Sequence, residues 1–270
     1  MKNRYTKQQI VEAIKYWEFI LKRMDESVYN NVIDVLIDEF GKDVVLSKKF
    51  NYTLTQQDLK KIFSILNKHF FGNEIKFLPV VLWPMSKLVD KLNYHAKMSG
   101  DENKEIHHTR CFGVHTSICA DVFGEHGELV DLKIHDDYLI INSSEMKNLI
   151  FIFAVAVICH EMIHVYDQQT SNEIHDMELE WEKDHDKTKP DFHNTSIFRS
   201  KMQEANNNGI NVVSKLSLDD SHIYDNTKAR FVLKQVIGEA ENPNVEILSS
   251  DNNLFIHNKK TGYGFFAHFD

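Results

Sequence analysis

An uninterrupted apolar run of eleven residues, 149–159, leads directly into the pattern H-E-x-x-H at residues 160–164. Eleven apolar residues are too few to span a bilayer, which needs about 20, and they predict a helix buried in a protein core. Histidines four residues apart lie about 40° apart around such a helix, so both imidazoles can reach one metal ion. The sequence therefore predicts a buried helix with His160 and His164 as metal ligands.

Glu161 lies between these histidines, about 100° around the helix from His160. A carboxylate in that position can act as the general base for a water molecule at the metal. We expect Zn²⁺, because catalytic zinc sites use three protein ligands and leave one position open for water. Glu161 favours a catalytic site, since a purely structural zinc site has no use for a base.

The third ligand needs a separate argument. The extended pattern H-E-x-x-H-x-x-G-x-x-H is not met, because Asp167 stands at the glycine position and Thr170 at the last histidine position. We favour His193, which immediately precedes a predicted helix at 195–207 that would pack against the motif helix and hold the imidazole rigidly. The alternatives are other downstream histidines and acidic residues, namely His175, His185, Glu178, Glu180, Glu182 and Glu204.

Two residues that follow the motif have their own interpretations. Asp167 shares the helix face of the motif histidines, so it either orients a ligand or is an exposed acid at the helix end. Tyr166 points away from that face, and we expect it to pack in the core. A further group of histidines flanks predicted strands and is interpreted as surface, although one of them could line a cleft: His107, His108, His115, His126 and His135.

The remaining pattern predicts an α+β fold. Helices are predicted as a hairpin over 6–41, at 55–70 with a capping box of Thr55 and Asp58, at 145–168 capped by 142–144, and at 227–237. Strands are predicted at 75–83, 111–116, 128–134, 138–142, 210–216, 245–248, 254–257 and 263–269, with a loop at 85–109. The hairpin either packs on the core or docks a partner. The acidic stretch at 170–191 is interpreted as a solvated loop or, alternatively, as a lid or partner-binding element.

Composition limits the classes of function. Forty acidic residues against 31 basic ones give a net charge of −9, which disfavours autonomous, tight binding of nucleic acid. Three cysteines without a C-x-x-C pair predict neither a disulfide framework nor a cysteine zinc ribbon. The polar N-terminal segment does not have the apolar stretch of a signal peptide, so we expect a cytoplasmic protein, cellular or viral, without membrane association.

Two stretches together resemble a known family. HEMIHVYD at 160–167 and FHNTSIFRSKMQEANNNGINV at 192–212 are similar to the SprT-like zinc metallopeptidases, which include the Spartan proteases of DNA–protein crosslinks. Segments 59–73 and 80–83 resemble the opening helix and first strand of that family, so the resemblance covers about residues 54–216. One departure is that an aromatic residue usually lies four positions after the third histidine, whereas Phe198 lies five after His193.

The resemblance implies a compact, zincin-like α+β domain with a small sheet packed on the motif helix. It also implies that His160, His164 and His193 hold zinc and that Glu161 is the catalytic acid/base. The domain would occupy residues 51–216, between an N-terminal helical hairpin at 1–50 and a C-terminal α/β extension at 217–270.

A zinc-dependent endopeptidase acting on protein substrates is the predicted function. DNA-associated proteins, reached through a partner, are implied as substrates by the resemblance only. An extended substrate could pair with a sheet edge near 111–116 or 128–134. The main alternative is a non-catalytic structural or adaptor protein, cellular or viral, that keeps a structural zinc, and a fourth zinc ligand such as His185 would favour it. A hydrolase of non-peptide substrates is disfavoured, because the motif supplies neither clustered carboxylates nor a second metal site.

Overall fold

The computed structural model describes residues 31–98, 111–123, 129–183, 191–217, 244–249, 253–260 and 262–268. Its helices are α1 (Asn31–Phe40), α2 (Lys42–Val45), α3 (Gln56–His69), α4 (Met85–Met98), α5 (Phe151–Thr170), α6 (Glu173–Glu182) and α7 (Ser196–Asn207), with a 3-10 turn at Phe192–Asn194. Its strands are β1 (Val80–Trp83), β2 (Gly113–Phe123), β3 (Leu129–Asn142), β4 (Lys215–Ser217), β5 (Val245–Ser249), β6 (Asn253–Asn258) and β7 (Tyr263–His268). The protein is α+β, as predicted.

The strands form two sheets. The first has the order β1-β3-β2, in which β1 is parallel and β2 antiparallel to β3. The predicted strands at 128–134 and 138–142 are one continuous strand, β3, and the strand predicted at 111–116 extends to Phe123. The second sheet, which we call the C-terminal sheet, has the order β4-β7-β6-β5.

Helix α5 runs through the core and carries the H-E-x-x-H motif. Its apolar residues are buried nearly all the way round, which is expected for a helix covered on every side rather than lying at a surface. It packs against α3, α7 and the first sheet. The C-terminal sheet joins the same core, because the ring of Phe255 on β6 packs edge-on against that of Phe153 at 4.9 Å between centroids.

The predicted loop at 85–109 is wrong for its first half, where helix α4 lies. The helix buries only Leu88 and Val89, so its apolar stripe is short. Long cationic side chains cover the sheet instead: Lys87 Nζ lies 4.2 Å from the ring centroid of Trp83, and Lys91 Nζ lies 4.2 Å from that of Tyr138. The apolar residues Met85, Leu88, Val89 and Leu92 recur at helical spacing, so the sequence carried a signal for this helix, and lysine stems and cation–π contacts add to its packing.

The motif helix begins at Phe151, six residues later than predicted. Asn142 does not cap it: its side-chain amide donates to the Cys111 carbonyl at 3.0 Å, and its carbonyl oxygen accepts from the Ser144 amide at 3.1 Å. The helix starts after Ile150 without a capping side chain, since apolar packing already determines where it lies.

Other boundaries divide into confirmed and corrected ones. The capping box of Thr55 and Asp58 at the start of α3 and the end of α7 before Gly209 are as predicted, and the structure adds Thr195 as the cap of α7. The strands predicted at 75–83 and 210–216 are shorter, at Val80–Trp83 and Lys215–Ser217, and part of the acidic loop is helix α6. The first helix of the predicted hairpin and the helix predicted at 227–237 lie outside the described residues.

Within the described ranges, no helix combines the length and the apolar character that crossing a bilayer requires.

Candidate metal centre

Three histidines from two parts of the chain meet at one point. His160 and His164 project from α5, and His193 comes from the 3-10 turn, with one ring nitrogen from each lying within 4.8 Å of the others. The ring centroids are 4.9 to 5.1 Å apart. The group could hold one metal ion, and it contains the three residues that the sequence predicts as ligands.

His160 is held from behind by the main chain. Its Nδ1 donates to the Val213 carbonyl oxygen at 2.6 Å, which leaves Nε2 as the unprotonated nitrogen. Burial, with a smaller contribution from the neighbouring His193, lowers the pKa of His160 to about 3. Burial also lowers the pKa of His164 well below its ordinary value. Both imidazoles are therefore neutral at physiological pH, as metal ligands must be.

His193 is held by a carboxylate. Its Nδ1 lies 2.6 Å from Asp191 Oδ1, and the same oxygen accepts from the His193 backbone amide at 3.2 Å. The side chain is 27% exposed, and His160 and His164 are also partly exposed. Two hydrogen bonds to one carboxylate fix both the turn and the ring of this residue.

The nitrogens that face one another explain why the cluster suits a cation. Nε2 of His160 lies 3.3 Å from Nε2 of His193, and the other ring nitrogen of each is already committed to an oxygen acceptor. Two facing lone pairs repel unless a cation, either a proton or a metal ion, lies between them. The third imidazole completes the donor set that catalytic zinc sites use.

The loop that carries His193 is anchored to α5 through Asp167. This residue is fully buried, and its carboxylate accepts hydrogen bonds from the hydroxyls of Thr195 and, at 2.8 Å, Ser171. It is thus neither the exposed acid nor the direct partner of a ligand histidine that the sequence suggests. Asp167 instead connects the motif helix to the cap of α7, two residues beyond His193.

Phe198 forms the floor of the cluster. Its fully buried ring lies 5.1, 4.6 and 5.0 Å from the rings of His160, His164 and His193, measured between centroids. The aromatic residue five positions after His193 therefore contacts all three imidazoles. A flat apolar ring on one side limits the direction from which water and other ligands can approach.

Glu161 is 7% exposed, and burial raises its pKa to about 8, against a smaller opposite effect from the backbone N–H of His115. Gly113 leaves room for this side chain, because a Cβ atom there would lie 2.8 Å from the Glu161 Cγ and 2.9 Å from the Ile141 Cδ1. A buried, weakly acidic carboxyl group therefore lies on the motif helix and contacts the start of β2.

The outer edge of β2 faces the same region. The Asn142 amide donates to the Phe112 carbonyl, so Phe112 is hydrogen-bonded to the end of β3. In an antiparallel pair only every second residue is hydrogen-bonded to the partner strand, so Gly113 and His115 direct their backbone groups away from β3. Gln168 on α5 donates to the Ser117 hydroxyl at 2.6 Å, which shows that this face of β2 packs on the motif helix.

Other predicted candidates lie elsewhere. Among the described residues, the three-histidine cluster includes neither His175 nor any of Glu178, Glu180 and Glu204, and neither the Glu182 side chain nor His185 belongs to the described part of the chain. Tyr166 points away from the cluster and donates from its hydroxyl to Glu74 at 2.8 Å.

Gly113, Asp191 and Val213 were not singled out from the sequence. Gly113 and Val213 contact residues that are far away in the sequence. Asp191 lies only two residues before His193, and this position is a local signal.

The chain matches no protein-family model, and neither curated proteins nor solved structures give a match.

Proposed function

We propose that this protein is a zinc-dependent endopeptidase, in which His160, His164 and His193 hold the metal and Glu161 is the general base. The observation that carries the proposal is that the imidazoles of His160, His164 and His193 converge on one point. The helix that carries the first two of them also carries the buried carboxyl group of Glu161. The H-E-x-x-H pattern and the resemblance of residues 54–216 to the SprT-like metallopeptidases support the same interpretation.

The donor set fits zinc. When bound by three neutral ligands, zinc keeps its charge and supplies a Lewis acid that polarises a carbonyl group and makes a water molecule more acidic. The acceptors behind two of the imidazoles, Val213 O and Asp191 Oδ1, keep the Nε2 lone pairs directed at one point.

Glu161 takes the proton of the attacking water and returns it to the leaving amine. Burial, which raises the pKa of this carboxyl group, makes its carboxylate form a stronger proton acceptor than an exposed glutamate. The His115 amide that donates to it fixes the orientation of the carboxylate. A group that must both accept and release a proton works best with a pKa near the working pH.

The outer edge of β2 provides a binding surface for an extended peptide. Gly113 directs its backbone N–H and C=O outward there and His115 its C=O, and a substrate strand can add to such an edge through main-chain hydrogen bonds. This favours a polypeptide over a compact small molecule as substrate. DNA-associated proteins as the particular substrates, recruited through a partner, are supported by the family resemblance alone.

The test compares Glu161→Gln with the wild type on an unfolded, fluorescently labelled protein substrate. We expect the variant to keep one zinc per chain and to lose cleavage by about 10³-fold, since general-base catalysis contributes 10²- to 10⁴-fold. Glu204→Gln is the matched control, because that exposed acid pairs with Lys201 away from the cluster. Cleavage retained by Glu161→Gln would remove this residue from the mechanism.

A non-catalytic protein with a structural zinc is the second hypothesis from the sequence. It needs a fourth protein ligand, and in the described part of the chain the cluster holds three. No feature of the described residues favours this hypothesis over the peptidase.

A further inference from the structure

Residues 211–214 pass behind His160, and their anchors come from the C-terminal sheet. The Asn211 amide donates to the Glu246 carboxylate on β5, and the Val212 carbonyl accepts from His257 Nε2 on β6 at 3.1 Å. The Ser214 hydroxyl donates to the Gly262 carbonyl at 3.0 Å, in the turn before β7. The segment precedes β4 and is not itself part of a strand, so these contacts, rather than a sheet ladder, determine its path.

His257 is an unusual residue to find at this position. It is fully buried, and burial lowers its pKa to about 3, so the ring is neutral. A carbonyl oxygen can only accept, so Nε2 carries the proton and Nδ1 does not. Nδ1 is buried without a hydrogen-bond partner among the described residues, which is energetically unfavourable. A buried polar ring kept at such a cost indicates that its one hydrogen bond has a role.

That hydrogen bond is made to the residue next to the one that holds His160. His257 fixes the carbonyl of Val212, and the following carbonyl, that of Val213, accepts from His160 Nδ1 at 2.6 Å. The ring of Phe255 stacks on that of His257 at 6.0 Å between centroids, which keeps the donor in its orientation. Two hydrogen bonds, joined by the peptide unit between Val212 and Val213, therefore link β6 to the cluster.

We propose that His257 is a positioning residue of the metal site, which orients His160 through the Val212–Val213 peptide so that its Nε2 faces the other two imidazoles. This inference rests on the proposed function, because it requires that the cluster binds metal. It makes the C-terminal sheet part of the site, although the resemblance to zinc metallopeptidases ends at about residue 216.

The experiment measures zinc affinity in the full chain by competition with a chromophoric chelator. Loss of a group that orients a metal ligand weakens metal binding by about 10- to 100-fold. We expect His257→Leu, which removes the donor, to raise the zinc Kd by at least about 10-fold. His257→Gln keeps an N–H donor and should stay within about 3-fold of the wild type. An unchanged Kd in folded His257→Leu would overturn the proposal.

Ile256→Ala is the matched control for loss of stability. Ile256 is buried in the same strand, and its side chain points to the opposite face of the sheet from His257. This variant should lower the melting temperature and leave the zinc Kd unchanged. In the cobalt-substituted protein, the visible absorption bands should shift in His257→Leu but not in Ile256→Ala. An equal loss of affinity in both variants would reduce the role of His257 to folding.

Glu246→Met decides the question if His257→Leu does not fold. Glu246 anchors Asn211 in the same segment and is partly exposed, so its replacement is better tolerated. We expect the zinc Kd to rise by about 5-fold, which exceeds the 3-fold range allowed for His257→Gln, and a Kd within that range would overturn the proposal. If the wild type itself binds no zinc, the proposed function fails and the inference fails with it. If the wild type binds zinc and the variants bind it equally well, the inference alone is wrong.

Discussion

The two sides of the three-histidine cluster are built in different ways. On the helix side, His160, Glu161 and His164 lie within five consecutive residues of α5, and the helical repeat alone brings them together. On the loop side, His193 depends on a carboxylate two residues away and on the link from Asp167 to Thr195. Glu161 on the helix side is buried, whereas all three imidazoles are partly exposed, with 27% of the His193 side chain accessible.

This difference separates two requirements of a metal site. Local geometry supplies the pattern of donors, and burial gives these groups their shifted pKa values. Tertiary contacts decide whether the last donor arrives in position. Changes on the helix side should therefore alter the chemistry of the site, and changes on the loop side should alter its affinity for metal.

The largest expected effect concerns the burial of Glu161. The pKa of this group is about 8 in the folded chain and 4.5 ordinarily, so the folded state binds more protons than the unfolded state between these values. The free energy of unfolding of metal-free protein should therefore fall as pH rises from about 4.5 to 8. Glu161→Gln removes this loss and should be more stable than the wild type by on the order of 3 to 5 kcal/mol at pH 8.

Urea unfolding of both proteins at pH 4.5 and pH 8 measures this difference, which should nearly vanish at the lower pH. Saturating zinc is the control, because a nearby cation favours the charged carboxylate and should reduce the difference at pH 8. The same stability gap at both pH values would contradict the buried position of this group.

Gly113→Ala tests the helix side without touching a ligand. The added Cβ would lie 2.8 Å from the Glu161 Cγ, so the carboxyl group must move. We expect proteolytic activity to fall by about 100-fold, because a displacement of this size misplaces the proposed general base. The zinc Kd should change little. Val114→Ala, on the opposite face of β2, is the control and should keep most of the activity.

Asp167→Asn weakens the loop side. The buried carboxylate accepts from two hydroxyls, and loss of its charge weakens both hydrogen bonds. We expect the zinc Kd to rise by about 10-fold as the anchor of the His193 loop loosens. Glu74→Gln is the control, since Glu74 contacts Tyr166 on the same helix but away from the cluster. An equal zinc Kd in Asp167→Asn and the wild type would mean that the loop does not need this anchor.

The smallest effect is expected far from the cluster. Thr55 caps α3 in a reciprocal capping box with Asp58, and Thr55→Ala should lower the free energy of unfolding by about 1 kcal/mol. Zinc affinity and activity should both stay unchanged, as measured by denaturant unfolding and chelator competition on one preparation. A change in zinc affinity here would show that general stability, rather than either side of the cluster, controls metal binding.

Sequence reasoning predicted the parts of the molecule that follow local rules. The His160, Glu161 and His164 pattern, the capping box of α3 and the end of α7 all depend on residues a few positions apart. His193 was predicted from its place before an amphipathic helix. The buried motif helix followed from its length and its apolar run.

Contacts between distant parts of the chain were not predictable in this way. Val213 is 53 residues from the histidine that it holds, and nothing in the local pattern marks it as an acceptor. Gly113 matters because Glu161 packs against it across the sheet. Helix α4 was missed although its apolar residues recur at helical spacing, since only Leu88 and Val89 are buried and lysines contribute much of its packing. The predicted division at residues 50 and 216 stays a prediction.

Zinc content measured by mass spectrometry on purified protein, after reconstitution and dialysis, tests the central claim most directly. We predict about one zinc per wild-type chain, with zinc lost from both His160→Ala and His193→Ala. His175→Ala is the control and should keep its zinc, because His175 lies outside the cluster. Wild-type protein without zinc, or His193→Ala that binds zinc as tightly as the wild type, would contradict the three-histidine site.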